Sequence, residues 1–245
     1  MSAPSIHMAG SLRAGDTLLI DSLDLTLPAG RWSALLGPSG VGKTSLLRLI
    51  AGLPCAAHLK GRIKAGDGAP IAPRVAMMAQ DDQLLPWACA LDNITICARL
   101  RGERAQTERA AALLAQVGLA GLERRKPANL SAGQRQRIAL ARTLYEDRAV
   151  VLLDEPFSAL DAMTRHTVQD MAAGLLAGRT VVLITHDPAE AIRLADFAWI
   201  ITQAGIAPCT LPPTMPPRAP EAAATISAQA ALLKRMRMLA APVAG

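Results

Sequence analysis

Three observations predict an α/β fold with a mainly parallel sheet, an N-terminal antiparallel β layer and an inserted α-helical subdomain. First, continuously apolar runs of strand type recur at Trp32–Leu36, Val75–Ala79, Val150–Leu153 and Thr180–Thr185. Runs without polar alternation fit strands buried on both faces, as in a parallel sheet covered by helices. Second, the chain before residue 36 reads as short alternating strands with a Pro28-Ala-Gly30 turn, which suits an antiparallel layer. Third, the segment from about 84 to 132 is rich in Ala and Leu at helical spacing and has no strand-like run, so it reads as a helical insert.

The remaining elements follow in order. Phe197–Ile201 is a further strand. Residues 203–220 contain six prolines and read as a linker, which closes a main domain at 1–202. Ala222 to Leu239 reads as one helix, basic near its end, within a tail at 221–245. No internal repeat is evident.

Composition narrows the classes. At 245 residues the chain is long enough for one large domain or two small ones. Hydrophobic residues make up 51% and aromatics only 2%, so Leu, Ala, Val and Ile must fill the core. No apolar stretch approaches about 18 residues, which excludes a spanning helix. The first residues have neither a basic start nor an apolar run, so no signal peptide is expected. Cys55, Cys89, Cys97 and Cys209 are scattered and form no metal-ligand pair, so reduced thiols are expected. The net charge of +6 is carried mostly by arginines spread along the chain, with one short run at Arg124-Arg-Lys126. With so few aromatics for base stacking, no nucleic-acid partner is expected.

The chemistry concentrates at Gly37-Pro38-Ser39-Gly40-Val41-Gly42-Lys43-Thr44, which fits G-x-x-x-x-G-K-[ST]. An apolar strand precedes it, and Ser45–Ala51 reads as a helix ended by Gly52 and Pro54. Strand, glycine loop and helix are the context that lets backbone N–H groups converge on phosphates, with the helix N-terminus adding partial positive charge. Lys43 is then placed for the β- and γ-phosphates, and the Thr44 hydroxyl for Mg²⁺. Asp154 ends the run Val150–Leu153, where α/β sheets place their ligand sites, and is a second candidate for the metal. Glu155 follows it and is the candidate general base for an attacking water. His186 ends another apolar run and is the candidate hydrogen-bond partner of the γ-phosphate. Ser131 is a candidate N-cap for a helix over Gln134–Tyr145, and with the Gly133 N–H it forms a second anion site.

In this order, with Gln80, Leu130-Ser-Ala-Gly-Gln134 and Ser158-Ala-Leu-Asp161, these motifs resemble the ATP-binding subunit of an ABC transporter, from about residue 10 to about 205. The resemblance implies a phosphate-loop ATPase core using ATP and Mg²⁺, with Gln80 touching the metal on a loop that moves with a membrane partner. It implies that Ser131, Gly133 and Gln134 face the γ-phosphate held by a second subunit, in a head-to-tail homodimer. Asp161 resembles a residue of the segment that, in the family, lets each site sense the other. Asp82-Gln-Leu-Leu-Pro-Trp87 and Leu91-Asp-Asn-Ile94 look like the nitrate, sulfonate, taurine and thiamine-precursor importer group. That implies integral permease partners, an indirect solute-binding protein and a peripheral place on the cytoplasmic face of the inner or plasma membrane. Leu84–Trp87 reads as a socket for a short permease helix, with Trp87 as anchor. An exporter or lipoprotein-release ATPase, and a soluble nucleic-acid-linked ATPase, are the alternatives.

Two departures stand out. Ala132 replaces the family's usual glycine, which costs about 1 kcal/mol if the position needs φ > 0 and nothing otherwise. The adenine-stacking aromatic is missing from Ser11–Asp16, which leaves Arg13 as the planar group available there.

Overall fold

The structure, a computed structural model, describes residues 3–240. In chain order the elements are β1 (Ile6–Ala14), β2 (Thr17–Leu27), β3 (Trp32–Leu36), α1 (Lys43–Ala51), β4 (Ala57–Ala65), β5 (Val75–Met78), α2 (Ala90–Leu100), α3 (Thr107–Gln116), α4 (Ala132–Tyr145), β6 (Val150–Asp154), α5 (Ala162–Leu175), β7 (Thr180–Ile184), α6 (Pro188–Leu194), β8 (Phe197–Thr202), β9 (Gly205–Pro208) and α7 (Ala223–Ala240). The last five residues of the expected tail lie outside the described residues.

The strands form two sheets. One is antiparallel in the order β2-β1-β4; the other runs β5-β6-β7-β3-β8-β9 and is parallel except for β9. The parallel strands are buried on both faces, as their unbroken apolar runs require. In β6, Val151 and Leu153 join the core shared with α2, α3, α4 and α5, while Val150 and Leu152 join the core under the antiparallel sheet. A third cluster, on the other flank, packs Ala34, Leu36 and Ile200 against α6 and Leu232 of α7.

Two elements depart from the sequence expectation. The antiparallel layer takes its third strand, β4, from beyond α1, outside the first 36 residues. Its side chains are mostly exposed or half-buried, with Lys60, Arg62 and Lys64 along it, so it has no apolar signal. The proline-rich run is likewise no free linker. Gly205–Pro208 pairs antiparallel with β8 as an edge strand, where a missing N–H at its last residue is tolerated. Arg218, 5% exposed, then staples the run to α6, donating to the carbonyls of Ile192 and Ala195 at 2.6 and 2.8 Å.

The sheet order brings the C-terminal ends of β5, β6, β7 and β3 side by side. Gln80, Asp154, His186 and Gly37 stand just at or beyond these four ends.

Candidate nucleotide site

At the end of β3 the chain turns into α1 through residues that only glycine serves well. Gly37 has φ 146°, and a Cβ there would run into the Ile201 carbonyl oxygen. Gly42, the N-cap of α1, has φ 103°, and a Cβ would come within 2.7 Å of Leu12 Cδ2. The turn folds back far enough for Lys43 Nζ to donate to the carbonyls of Gly37 and Pro38, at 2.8 Å each. Lys43 is 8% exposed. Burial pushes its ammonium below the ordinary lysine range, opposed by the negative charges of Glu155 and Asp154.

Asp154, at the end of β6, is 1% exposed, and its Oδ2 accepts the Thr44 hydroxyl at 2.7 Å. Burial raises its carboxyl above the usual range, against the Thr44 hydrogen bond, and the neighbouring Glu155 charge adds to the rise. A divalent cation would reverse that balance. The donors fit Mg²⁺ in kind, being a hydroxyl and a carboxylate oxygen held together with no soft ligand. No cluster of three or more His, Cys, Asp or Glu that could hold a metal occurs among the described residues.

Glu155 is held by its own backbone. Its N–H donates to the Ile184 carbonyl at 2.9 Å. Its carbonyl accepts from Gln136 Nε2 at 3.0 Å and from Ser158 Oγ at 3.1 Å. With φ 49°, unusual outside glycine, the residue turns out of β6. Its carboxylate stands 3.2 Å from His186 Nδ1, and the imidazole is two-thirds exposed.

Ser39, Gly40, Gly42, Lys43, Thr44, Ser45, Gln80, Asp154 and Glu155 line one cavity of about 260 Å³. Gly37 and Pro38 reach it through Lys43, and His186 through Glu155. Val41 is 9% exposed and packs in the core beneath the loop.

Ser131, Gly133, Gln134 and Asp161 line none of this cavity. The helix that Ser131 opens begins at Ala132, two residues before the expected start. Ser131 and Gln134 form a capping box, with Gln134 N–H donating to Ser131 Oγ at 3.2 Å and Ser131 N–H to Gln134 Oε1 at 2.9 Å. Gly133 sits so close to Ala159 that a Cβ would lie 3.0 Å from its carbonyl oxygen. Asp161 is exposed and caps α5 by accepting Thr164 N–H at 3.0 Å, which holds its carboxyl below the usual range. Ala132 has no positive φ, so its replacement of glycine strains nothing.

Sequence reasoning missed two residues here. Gln136, 5% exposed, bridges Glu155 and Ser158 and accepts Ala159 N–H at 2.9 Å, pinning the segment after β6 to α4. A buried glutamine on the apolar side of a helix was the available signal. Leu19 also lines the cavity, on the flank where an aromatic was sought. Arg13 turns away to donate to the Asp16 carbonyl at 2.7 Å.

The ABC transporter family model matches residues 20–158, more than half of the chain. The chain belongs to that family. An aliphatic sulfonates import ATP-binding protein of Rhodococcus jostii is 47% identical over 196 residues, 79% of this chain and 77% of that one. Its counterpart in Escherichia coli K12 is 42% identical over 207 residues, covering 83% and 79%. In fold, the chain is similar to a dimeric ATP-binding cassette in a post-hydrolysis state bound to ADP and Pi. The TM-score is 0.74 at 24% identity, over 85% of this chain and all of that one. No described helix is long and apolar enough to cross a membrane.

Proposed function

We propose that this ATPase subunit energises an ABC importer of a small anionic or organic solute, with aliphatic sulfonates as the leading class. The observation that carries the ATPase chemistry is the convergence of Lys43, Thr44, Asp154 and Glu155 on one cavity at the C-terminal edge of the sheet. The two sulfonate-import relatives support the solute class.

In this reading the loop N–H groups from Gly37 to Ser45 cradle the phosphates of ATP, and Lys43 leaves its two carbonyls for them. Thr44, Asp154 and Gln80 would hold Mg²⁺, which supplies charge neutralisation to the phosphates. Glu155 orients the attacking water and takes its proton, and His186 fixes the γ-phosphate from the end of the neighbouring strand β7. Ser131 and Gly133 act on the ATP of a second copy. The capping box occupies Gln134, so its part is to hold Ser131 in place.

The link to a permease runs through the segment after Gln80. Asp82 pairs with Arg135 of α4 at 2.8 Å, and Arg142 donates to the carbonyls of Asp82 and Gln83 at 2.7 and 2.9 Å. Fully buried Asn93 then builds the 85–89 loop, accepting Leu85 N–H at 2.7 Å and donating to the carbonyls of Leu85, Ala88 and Cys89. That rigid loop presents Trp87, 70% exposed, which suits an anchor for a short permease helix.

The test uses tagged Glu155→Gln protein with ATP and Mg²⁺, drawn from detergent-solubilised native membranes, with the captured chains identified by mass spectrometry. A permease and a solute-binding protein that takes sulfonates are expected. A permease without a binding protein would make the system an exporter, and ribosomal or DNA-bound chains without a membrane protein would overturn the transport reading.

A further inference from the structure

His186 is an exposed side chain whose one close polar contact among the described residues is the Glu155 carboxylate. Something else must fix where its ring stands, and the residues around it are built for that. Thr185, 1% exposed, works in both directions. Its Oγ1 accepts the Asp187 N–H at 3.0 Å, and its hydroxyl donates to Glu190 Oε2 at 2.6 Å. Glu190 is itself 4% exposed.

The arrangement is a capping box with one link inserted. Asp187 is the N-cap of α6, and Glu190 is at N3, where a glutamate ordinarily reaches back to the N-cap N–H. Here the Thr185 hydroxyl stands between the two. The substitution ties the residue before His186, and not only the helix end, to the buried carboxyl. Asp187 also accepts Ala189 N–H at 2.8 Å and meets Arg165 of α5 at 3.4 Å. Arg165 in turn donates to the Leu160 carbonyl at 2.9 Å, next to Asp161.

We propose that Glu190 is a positioning residue for His186, acting through the Thr185 hydroxyl to hold the 185–187 turn and hence the imidazole against Glu155. The groups facing its carboxyl are Thr185 and His186 from the turn, Asp187 at the helix cap and Arg165 from α5. Arg193, Gln169 and His166, with Thr225 and Gln229 of α7, also line the small polar cavity, about 60 Å³, that the carboxyl borders. Burial of a carboxyl at this point is costly and unnecessary for capping alone, since Asp187 already caps the helix with its own side chain. The catalytic consequence rests on the role proposed above for His186.

Glu190→Ala and Glu190→Gln are made in the full chain and compared with wild type by ATPase kinetics and by NMR of ring-labelled histidine. The chain has four histidines, of which His7 and His58 lie on β1 and β4 and serve as internal references. In Glu190→Ala the His186 resonance shifts and broadens while those of His7 and His58 stay in place. Its kcat falls about tenfold with KM for ATP within about twofold, the pattern of a lost transition-state contact. Glu190→Gln, which keeps an acceptor for Thr185, recovers most of both signals. An unmoved His186 resonance with kcat unchanged would overturn the proposal, as would equal loss in both variants. Should the wild type not hydrolyse ATP, the reading of function fails, and the His186 resonance alone still decides whether Glu190 positions the ring.

Discussion

The two ends of the proposed ATP site differ in how far a single chain completes them. At the glycine loop the groups that would meet phosphate and metal already have internal partners: Lys43 on two carbonyls, Thr44 on Asp154. At the other end, Ser131 is exposed, and its side chain is spent on the first turn of α4. The first end is preorganised and can exchange internal contacts for ligand contacts at little structural cost. The second is a surface feature whose proposed function requires another molecule to face it. Binding should therefore belong to one copy and turnover to two.

The strongest test of that division removes the base and leaves both ends intact. Glu155→Gln is expected to keep ATP affinity within about twofold while lowering turnover by roughly 10²–10⁴-fold. It should also hold a dimer in ATP that light scattering detects. Near wild-type hydrolysis would remove Glu155 from its role, and a monomer in ATP would break the comparison itself.

Ser131→Ala tests the second end alone. Turnover should fall about tenfold or more with nucleotide binding by the single chain unchanged, because the residue does not line the cavity. Loss of the cap should also cost about 1 kcal/mol of stability, visible in urea. If binding weakens as much as turnover, the two ends are not separable.

Glu190 gives a pH signature beside the first end. Burial raises its carboxyl to about 7 from an ordinary 4.5. The folded chain therefore keeps a proton that the unfolded chain releases, and stability falls as pH rises from about 4.5 to about 7. Glu190→Gln lacks that loss. Its Tm relative to wild type should climb by an amount on the order of 5 °C across the window. A constant difference would mean that the carboxyl does not titrate there.

Base recognition is a smaller effect on the same end. With Arg13 turned to Asp16 and Leu19 on the cavity wall, no aromatic ring or guanidinium among the described residues lines the cavity. ATP and GTP should turn over at rates within about threefold, since an apolar wall contacts either base and reads no edge. A strong preference for ATP would show that a stacking group is supplied from elsewhere.

What the sequence made legible follows the same division. The loop, Asp154, Glu155 and His186 stood out because each follows an apolar run, buried on both faces, and because they come in one ordered set. The cap at Ser131 was legible for its local chemistry. Strand β4 was not, because charged residues line much of an open sheet, and β9 was hidden by prolines that ordinarily break strands. The cross-links that set the site, from Gln136 to Glu155 and from Glu190 to Thr185, join residues by tertiary approach or through an inserted hydroxyl. No spacing rule announces either.

The smallest expected effect concerns Ala132. Its φ is not positive, and it is the first residue of α4, so the glycine usual at this position is not required by the backbone of a single chain. Ala132→Gly should therefore lower stability slightly, by up to about 1 kcal/mol, because glycine loses more freedom on entering a helix. Turnover should stay within about twofold of wild type, as Ser131 and the Gly133 N–H are untouched. A rise of about tenfold or more would mean that the methyl group obstructs something absent from one chain, namely the nucleotide brought by the second copy. Measured beside Ser131→Ala, the substitution separates the two demands on this end. The serine must be held in place by its own helix, and the residue after it must leave room for a neighbour.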